Sequence, residues 1–98
     1  IEQYVVTLVA ATRNIASYLP DWGNYVSAGA APRGSISLLR AASANALLRQ
    51  RDYIIPEDVI ELAPDILRHR IVLDFAAKAD GIEADRIISE LIQQVPAP

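Results

Sequence analysis

Gly29-Ala30-Ala31-Pro32-Arg33-Gly34-Ser35-Ile36-Ser37-Leu38-Leu39-Arg40-Ala41-Ala42 opens the longest helical pattern in the chain, and the predicted fold is organised around it. Proline has no N–H to leave unpaired at a first helical position, so we predict a helix from Pro32 to about Gln50. Its inward face is predicted at helical spacing and comprises Ile36, Leu39, Ser43, Ala46 and Leu47, widened by Leu38, Ala42 and Asn45. A helix with such a broad apolar face is expected to be central.

Three further helical patterns flank this segment. Residues 1–17 carry apolar side chains at i, i+3, i+4 and i+7, and Pro20 ends that pattern. Pro56 opens a third helix, which Pro64 is expected to break or restart. The last helix is predicted from about Ala84 to Gln94. The sequence therefore predicts an all-α fold, a four-helix bundle in which residues 1–98 form a single domain.

The connecting segments include one long loop and two short extended stretches. Residues 18–31 are punctuated by Pro, Asp, Gly and Asn, and we expect Trp22 and Tyr25 to pin this loop to the body. Strand character is present in Tyr53-Ile54-Ile55 and in Ile71-Val72-Leu73. Their pairing would add one short two-stranded sheet, which is marginal by itself.

Composition excludes several classes of function. The 98 residues carry a net charge of −3, which argues against a nucleic-acid partner. No apolar run approaches the roughly 18 residues of a membrane span, so no membrane partner is expected. The absence of cysteine is compatible with a cytoplasmic location. The chain begins at Ile1 and contains no Met, which we interpret as a piece of a longer protein.

The catalytic inventory is poor. There is one histidine, His69, and no cysteine, so no metal site is predicted. No G-x-x-x-x-G-K-[ST] loop or G-x-S-x-G elbow is present, and the carboxylates show no catalytic pairing. The chain alone is therefore not expected to be an enzyme.

Arg33 is the candidate functional residue. It lies in the first turn of the central helix, where the helix dipole disfavours a cation by about 0.3–1 kcal/mol. A guanidinium beside open helix N–H groups is suited to binding a phosphate, and Gly29 and Gly34 leave room for close approach. The alternative is that Arg33 is a solvated surface residue, since the dipole cost is small.

Other basic residues have simpler interpretations. His69 lies between Arg68 and Arg70, at the end of a predicted helix where positive charge is favourable, and the three could instead contact acidic groups on a partner. Arg40, Arg49 and Arg51 are interpreted as a solvated helix edge.

Taken together, several stretches resemble the C-terminal lid of MoxR-family AAA+ ATPases in order and spacing. They are Gly-Ala-Ala-Pro-Arg (29–33), Leu-Leu-Arg-Ala-Ala (38–42), Arg-Asp-Tyr-Ile-Ile-Pro-Glu-Asp-Val (51–59), Leu-Ala-Pro-Asp (62–65), Leu-Arg-His-Arg-Ile (67–71) and Val-Pro (95–96). The resemblance implies a small helical lid that follows a P-loop α/β core. The longer protein would be an ATP hydrolase that uses ATP and Mg, neither of which the lid binds alone.

The resemblance also implies roles for particular residues. The Gly-Ala-x-Pro-Arg element corresponds to the sensor 2 motif of that family, so Gly29, Pro32 and Arg33 would belong to the nucleotide site. Arg33 would assist catalysis by contacting the γ-phosphate of ATP in its own subunit or a neighbouring one. The implied partners are the lid's own AAA+ core and the other subunits of a ring, usually a hexamer. Client proteins, often with von Willebrand factor A domains, would undergo chaperone-like remodelling, maturation or metal-cofactor insertion.

Three positions depart from the family pattern. Ala31 replaces a common Ser, which removes an N-cap oxygen at a cost of about 1 kcal/mol. Gly34 replaces a common Ala, and Ile55 replaces a common Thr. The first two changes predict a mobile Arg33 loop in the absence of nucleotide. Two alternatives to the lid remain from the residues: a histone-fold-like module and a free-standing helical protein-interaction domain.

Overall fold

Six α-helices and one small sheet make up the computed structural model, which describes residues 1–98. The helices are α1 (Glu2–Thr12), α2 (Ile15–Tyr18), α3 (Arg33–Leu48), α4 (Pro56–Leu67), α5 (Phe75–Ala79) and α6 (Ala84–Gln94). The strands are β1 (Val26–Ala28) and β2 (Val72–Leu73), and 3-10 turns lie at Pro20–Trp22 and Arg68–Arg70. The four longest helices, α1, α3, α4 and α6, confirm the predicted all-α bundle.

The core lies between these four helices. α3 packs against α1 and α4, and α6 packs against α1 and α4. Leu8, Leu38, Leu67, Ile87 and Leu91 are fully buried there, one or more from each long helix. Burial of each such side chain stabilises the fold by about 1.5–3 kcal/mol. None of the helices has both the length and the apolar character needed to cross a lipid bilayer.

The first predicted helix is divided in two. α1 ends at Thr12, and α2 starts at Ile15 with Asn14 before it. Thr12 turns its hydroxyl back to the carbonyl of Val9 at 2.6 Å, a local bond that competes with helix propagation. The prediction of a single helix over residues 1–17 is therefore wrong at its C-terminal end.

The predicted strand pairing is also wrong in one partner. β2 pairs antiparallel with β1, with Val26 opposite Leu73 and Ala28 opposite Val72. Residues 53–55 form no strand, because the N–H of Ile55 donates to the Asp58 carboxylate at 3.0 Å and caps α4. A strand had not been expected inside the 18–31 loop.

Helix α3 presents part of its predicted face to the core. Its buried residues are Gly34, Leu38, Ala42 and Ala46, while Ile36 and Leu47 are exposed. The buried positions recur every four residues and are mostly small, which lets the neighbouring helices approach closely. The prediction is therefore confirmed for Leu38, Ala42 and Ala46, and it is wrong for Ile36 and Leu47.

Two further differences concern the second half of the chain. α4 continues through Pro64 to Leu67, so this proline neither breaks nor restarts the helix, although it cannot donate a hydrogen bond there. The short helix α5 was not predicted; Asp74 precedes it and accepts a hydrogen bond from the N–H of Phe75 at 2.7 Å.

Candidate functional site

Arg33 is the first residue of α3 and is exposed to solvent. Its guanidinium makes no hydrogen bond or ion pair with the rest of the chain, unlike Arg13, Arg49, Arg51, Arg68 and Arg70. Pro32, immediately before it, already has helical angles, φ −55° and ψ −25°. The structure therefore places an uncommitted cation at the N-terminus of the longest helix.

The backbone amides of this helix start are less open than the sequence suggested. The N–H of Gly34 donates to the carbonyl of Ala31 at 2.8 Å, and that of Ser35 donates to the carbonyl of Pro32 at 3.0 Å. The N–H of Arg33 has no acceptor within the chain. Electrostatic attraction of an anion to this end rests on the guanidinium, the helix dipole and this one amide.

Ala30 fixes the position of the segment that leads into α3. It is completely buried, and its N–H donates to the hydroxyl of Thr12 at 2.8 Å. Its carbonyl accepts a hydrogen bond from Nη1 of Arg13 at 2.6 Å. The end of α1 thus binds both polar groups of Ala30, one residue before Ala31; the mobility predicted for the Arg33 loop stays a prediction.

Gly29 is required by packing against the same end of α1. A Cβ atom at this position would lie 2.2 Å from the carbonyl oxygen of Thr12 and 2.6 Å from the backbone nitrogen of Arg13. The room left by the missing side chain is filled by the chain's own backbone. The predicted part of Gly29 and Pro32 in nucleotide binding would therefore be indirect, through the placement of Arg33.

Arg70 brings a second guanidinium to the start of α3. Its Nη2 donates to the hydroxyl of Ser37 at 2.9 Å, and its Cδ lies 3.6 Å from the position that a Cβ on Gly34 would occupy. Arg70 therefore lies along the first turns of α3. Sequence reasoning missed this placement, because the two residues are 33 positions apart and no local spacing joins them.

Arg68 is committed to acidic residues of the same chain. Its Nε and Nη2 bind the two carboxylate oxygens of Asp85 at 2.6 and 2.9 Å, and Nη2 also lies 3.1 Å from Asp65. The hydrogen bond from Arg68 lowers the pKa of Asp85, with a smaller contribution from the charge of His69. This forked pair joins the 3-10 turn that follows α4 to the first turn of α6.

A second internal cluster ties α3 to α4. The buried carboxylate of Asp58 accepts hydrogen bonds from Arg51, from Nδ2 of Asn45 at 3.1 Å and from the N–H of Ile55. The hydrogen bond from Arg51 holds the pKa of Asp58 below its usual value, and the Ile55 amide acts in the same direction. Arg51 is therefore not part of a solvated edge. Arg49 forms an exposed ion pair with Glu61 at 2.9 Å.

The aromatic residues of the 18–31 segment act as the predicted anchors. The rings of Trp22 and Tyr25 lie 5.7 Å apart, and the guanidinium of Arg86 lies 5.5 Å from the Trp22 ring centroid. The hydroxyl of Tyr25 donates to Asp80 at 2.6 Å. These contacts hold the segment against the end that carries α5 and α6.

Comparisons with known proteins agree with the architecture. Residues 23–91 match the AAA lid domain family. The chain is 46% identical over 96 residues to Chaperone MoxR1 of Mycobacterium tuberculosis, covering 97% of this chain and 26% of that protein. It is 44% identical over 98 residues to the uncharacterized protein YeaC of Bacillus subtilis, covering 100% of this chain and 28% of that protein. A crystal structure of a candidate ATPase from Cytophaga hutchinsonii superposes with a TM-score of 0.94 and 43% identity over 99% of this chain and 30% of the other.

Proposed function

Because the chain belongs to the AAA lid domain family, as the lid of a MoxR-type AAA+ ATPase, we propose that it couples nucleotide binding and hydrolysis in a longer ATPase to the remodelling of partner proteins. The chain spans 26% and 28% of the lengths of two relatives that it matches. The P-loop core, ATP and Mg would come from the remainder of such a protein. The lid would contribute position and charge, not the hydrolytic machinery.

Arg33 is the residue that we propose acts on nucleotide, as the sensor 2 arginine. The observation that carries this proposal is an exposed guanidinium without any partner in the chain, at the N-terminus of α3. Fixed cationic groups stabilise the charge that develops on the transferred phosphoryl group. The buried anchor at Ala30 would hold the start of α3 in place, so that little ordering would be needed when phosphate arrives.

The surface of the lid supports contact with further protein. Several large apolar side chains are exposed: Val6, Ile36, Leu47, Leu48, Tyr53, Val72 and Phe75. Leu47 and Leu48 are adjacent at the end of α3, and contiguous exposed apolar groups are typical of surfaces that other domains cover. We propose that the AAA+ core of the same subunit and a neighbouring subunit of a ring cover them. One relative is named as a chaperone, which supports a chaperone-like role. We propose that the clients include proteins with von Willebrand factor A domains.

Arg33→Ala in the intact ATPase tests this function. We expect kcat for ATP hydrolysis to fall by about 10²-fold, because one preorganised donor on developing charge contributes about that much. Arg40→Ala is the matched control, since Arg40 is also an exposed arginine of α3 without a hydrogen bond or ion pair, but lies two turns further along. Its kcat should stay within about twofold of the parent, as expected for a surface substitution.

A loss of ATP hydrolysis counts only if the variant remains as stably folded as the parent. Thermal unfolding of both variants should match the parent, because neither guanidinium makes an internal hydrogen bond or ion pair. Equal turnover in the parent and in Arg33→Ala would remove Arg33 from the mechanism. Equal losses in Arg33→Ala and Arg40→Ala would show a general effect of charge instead of a specific contact.

A further inference from the structure

We propose that Thr12 and Arg13, at the C-terminus of α1, are positioning residues for Arg33: they hold Ala30 and thereby set where α3 begins. This inference rests on the proposed function of Arg33, and it assigns a role in that function to a helix end 20 residues earlier in the sequence. Neither residue would touch nucleotide. Both would act through the backbone of residues 29–32.

Both backbone polar groups of Ala30 are bound by the end of α1. The hydroxyl of Thr12 accepts a hydrogen bond from the N–H of Ala30 and donates one to the carbonyl of Val9. The second bond lies within α1, so α1 itself orients this hydroxyl. Arg13 binds the carbonyl of Ala30 from the other side. Two adjacent side chains therefore satisfy both polar groups of a single buried residue, which fixes the position and the orientation of its backbone.

A close backbone contact lies next to the hydrogen bonds of Ala30. Gly29 lies against the carbonyl of Thr12 so tightly that no Cβ could be accommodated. The chain on one side of Ala30 is therefore in contact with α1. Displacement of the anchor would have to move this backbone away from α1 as well.

The connection from Ala30 to Arg33 is short and stiff. The carbonyls of Ala31 and Pro32 accept hydrogen bonds from Gly34 and Ser35, so the two intervening residues already belong to the turn that starts α3. The ring of Pro32 fixes its φ angle near −55°. A displacement of the Ala30 backbone would consequently displace Arg33 by a similar distance.

The specificity of the anchor argues against a merely stabilising role. Arg13 is exposed, and at the C-terminus of a helix its charge would be favourable without any tertiary contact. Instead its guanidinium reaches a carbonyl 17 residues away. The contact lies three residues before Arg33, the unpaired arginine at the start of α3. Movement of α1 would be transmitted to the nucleotide site through this contact.

The test is a double-mutant cycle in the intact AAA+ ATPase that contains this lid. Arg13→Gln removes the guanidinium, and Thr12→Val removes the hydroxyl at nearly constant volume. Thr12→Ser restores the hydroxyl and should rescue activity. Arg40→Gln, on an exposed arginine without an internal partner, is the matched control. Each variant is made alone and in the Arg33→Ala background, and kcat and KM for ATP hydrolysis are measured.

We expect Arg13→Gln and Thr12→Val each to lower kcat by about tenfold, because a misplacement of about 1 Å can cost up to about 10²-fold. Thr12→Ser and Arg40→Gln should remain within about twofold of the parent. In the Arg33→Ala background, Arg13→Gln should cause no further loss, since the group that it positions is absent. Unchanged kcat in Arg13→Gln, or the same loss with and without Arg33, would overturn the inference.

Failure of the inference is distinguishable from failure of the proposed function. If Arg33→Ala leaves hydrolysis unchanged, the function assigned to Arg33 fails. The positional claim is then decided by amide hydrogen exchange in the same protein. Faster exchange at Ala30, Gly34 and Ser35 in Arg13→Gln, with the rest of the lid unchanged, supports it. Unchanged exchange at these three amides overturns it.

Discussion

Gly29→Ala should destabilise the fold strongly, because the structure leaves no room for a side chain at this position. The added Cβ would lie 2.2 Å from the carbonyl oxygen of Thr12, a distance that real side chains do not tolerate. The three nearest atoms all belong to the backbone of Thr12 and Arg13, so no side chain can rotate away. The segment must move from α1 by roughly 1.2 Å or more to reach ordinary van der Waals contact.

The cost follows from what that movement disturbs. Overpacking in a tight site costs about 1–3 kcal/mol. The two hydrogen bonds at Ala30, of 2.8 and 2.6 Å, would weaken at the same time, at about 1 kcal/mol each. We therefore expect Gly29→Ala to lower the free energy of unfolding by about 3 kcal/mol, which corresponds to a fall in Tm of about 12–24 °C for a domain of this size.

Gly34→Ala is the matched control in the same segment. Its Cβ would meet its nearest neighbours at 3.5 Å, which is ordinary contact, and alanine is the better helix former by up to about 1 kcal/mol. Urea unfolding of the 98-residue chain, followed by the fluorescence of Trp22, its single tryptophan, measures both variants. Equal stability of Gly29→Ala and Gly34→Ala would refute the close contact between residue 29 and α1.

Three further stability predictions follow from contacts elsewhere in the chain. Asp58→Asn should lower Tm by more than Glu61→Gln in thermal unfolding, because the Asp58 carboxylate is buried and bound by three donors, whereas Glu61 is exposed; a larger loss for Glu61→Gln would contradict this. The pKa values of Asp58 and Asp85 are lowered from 3.8, so their stabilisation is present above that pH and is lost as pH falls through the lowered values. Acid titration of Asp58→Asn should therefore show a shallower loss of stability than the parent, and an identical acid limb would count against the assignment. Gln50 has a φ of 63°, so Gln50→Gly should raise the free energy of unfolding by up to about 1 kcal/mol, and a decrease in urea unfolding would exclude strain there.

Local patterns were sufficient to predict the long helices. The periodicity of α6 and the proline before α3 predicted elements that begin and end within about two residues of the observed ones. Hydropathy was misleading at the large residues of α3, since Ile36 and Leu47 were predicted to face inward and are exposed, Leu47 by 69%, whereas Ala42 and Ala46 do face the core. Binary patterns count a leucine as an inward residue wherever it occurs, and a surface that another domain covers violates that rule.

In the candidate site, too, local features could be predicted and long-range contacts could not. Arg33 could be singled out because a cation at a helix N-terminus contradicts the local electrostatic preference. The contacts around the start of α3 could not be predicted: the hydroxyl of Thr12 meets Ala30 across 18 residues, and Arg70 reaches Ser37 across 33. Such contacts are set by packing of whole helices, which single-sequence periodicity does not encode. The pairing of β1 with β2 was missed for the same reason.

The most direct test of the central claim is the distance between the guanidinium of Arg33 and the γ-phosphate in a crystal structure of the intact ATPase with a non-hydrolysable ATP analogue and Mg. We expect a guanidinium nitrogen within about 2.7–3.2 Å of a γ-phosphate oxygen, bound either in the same subunit or in its neighbour. A γ-phosphate fully coordinated by other residues, with Arg33 left in solvent in every subunit, would contradict it.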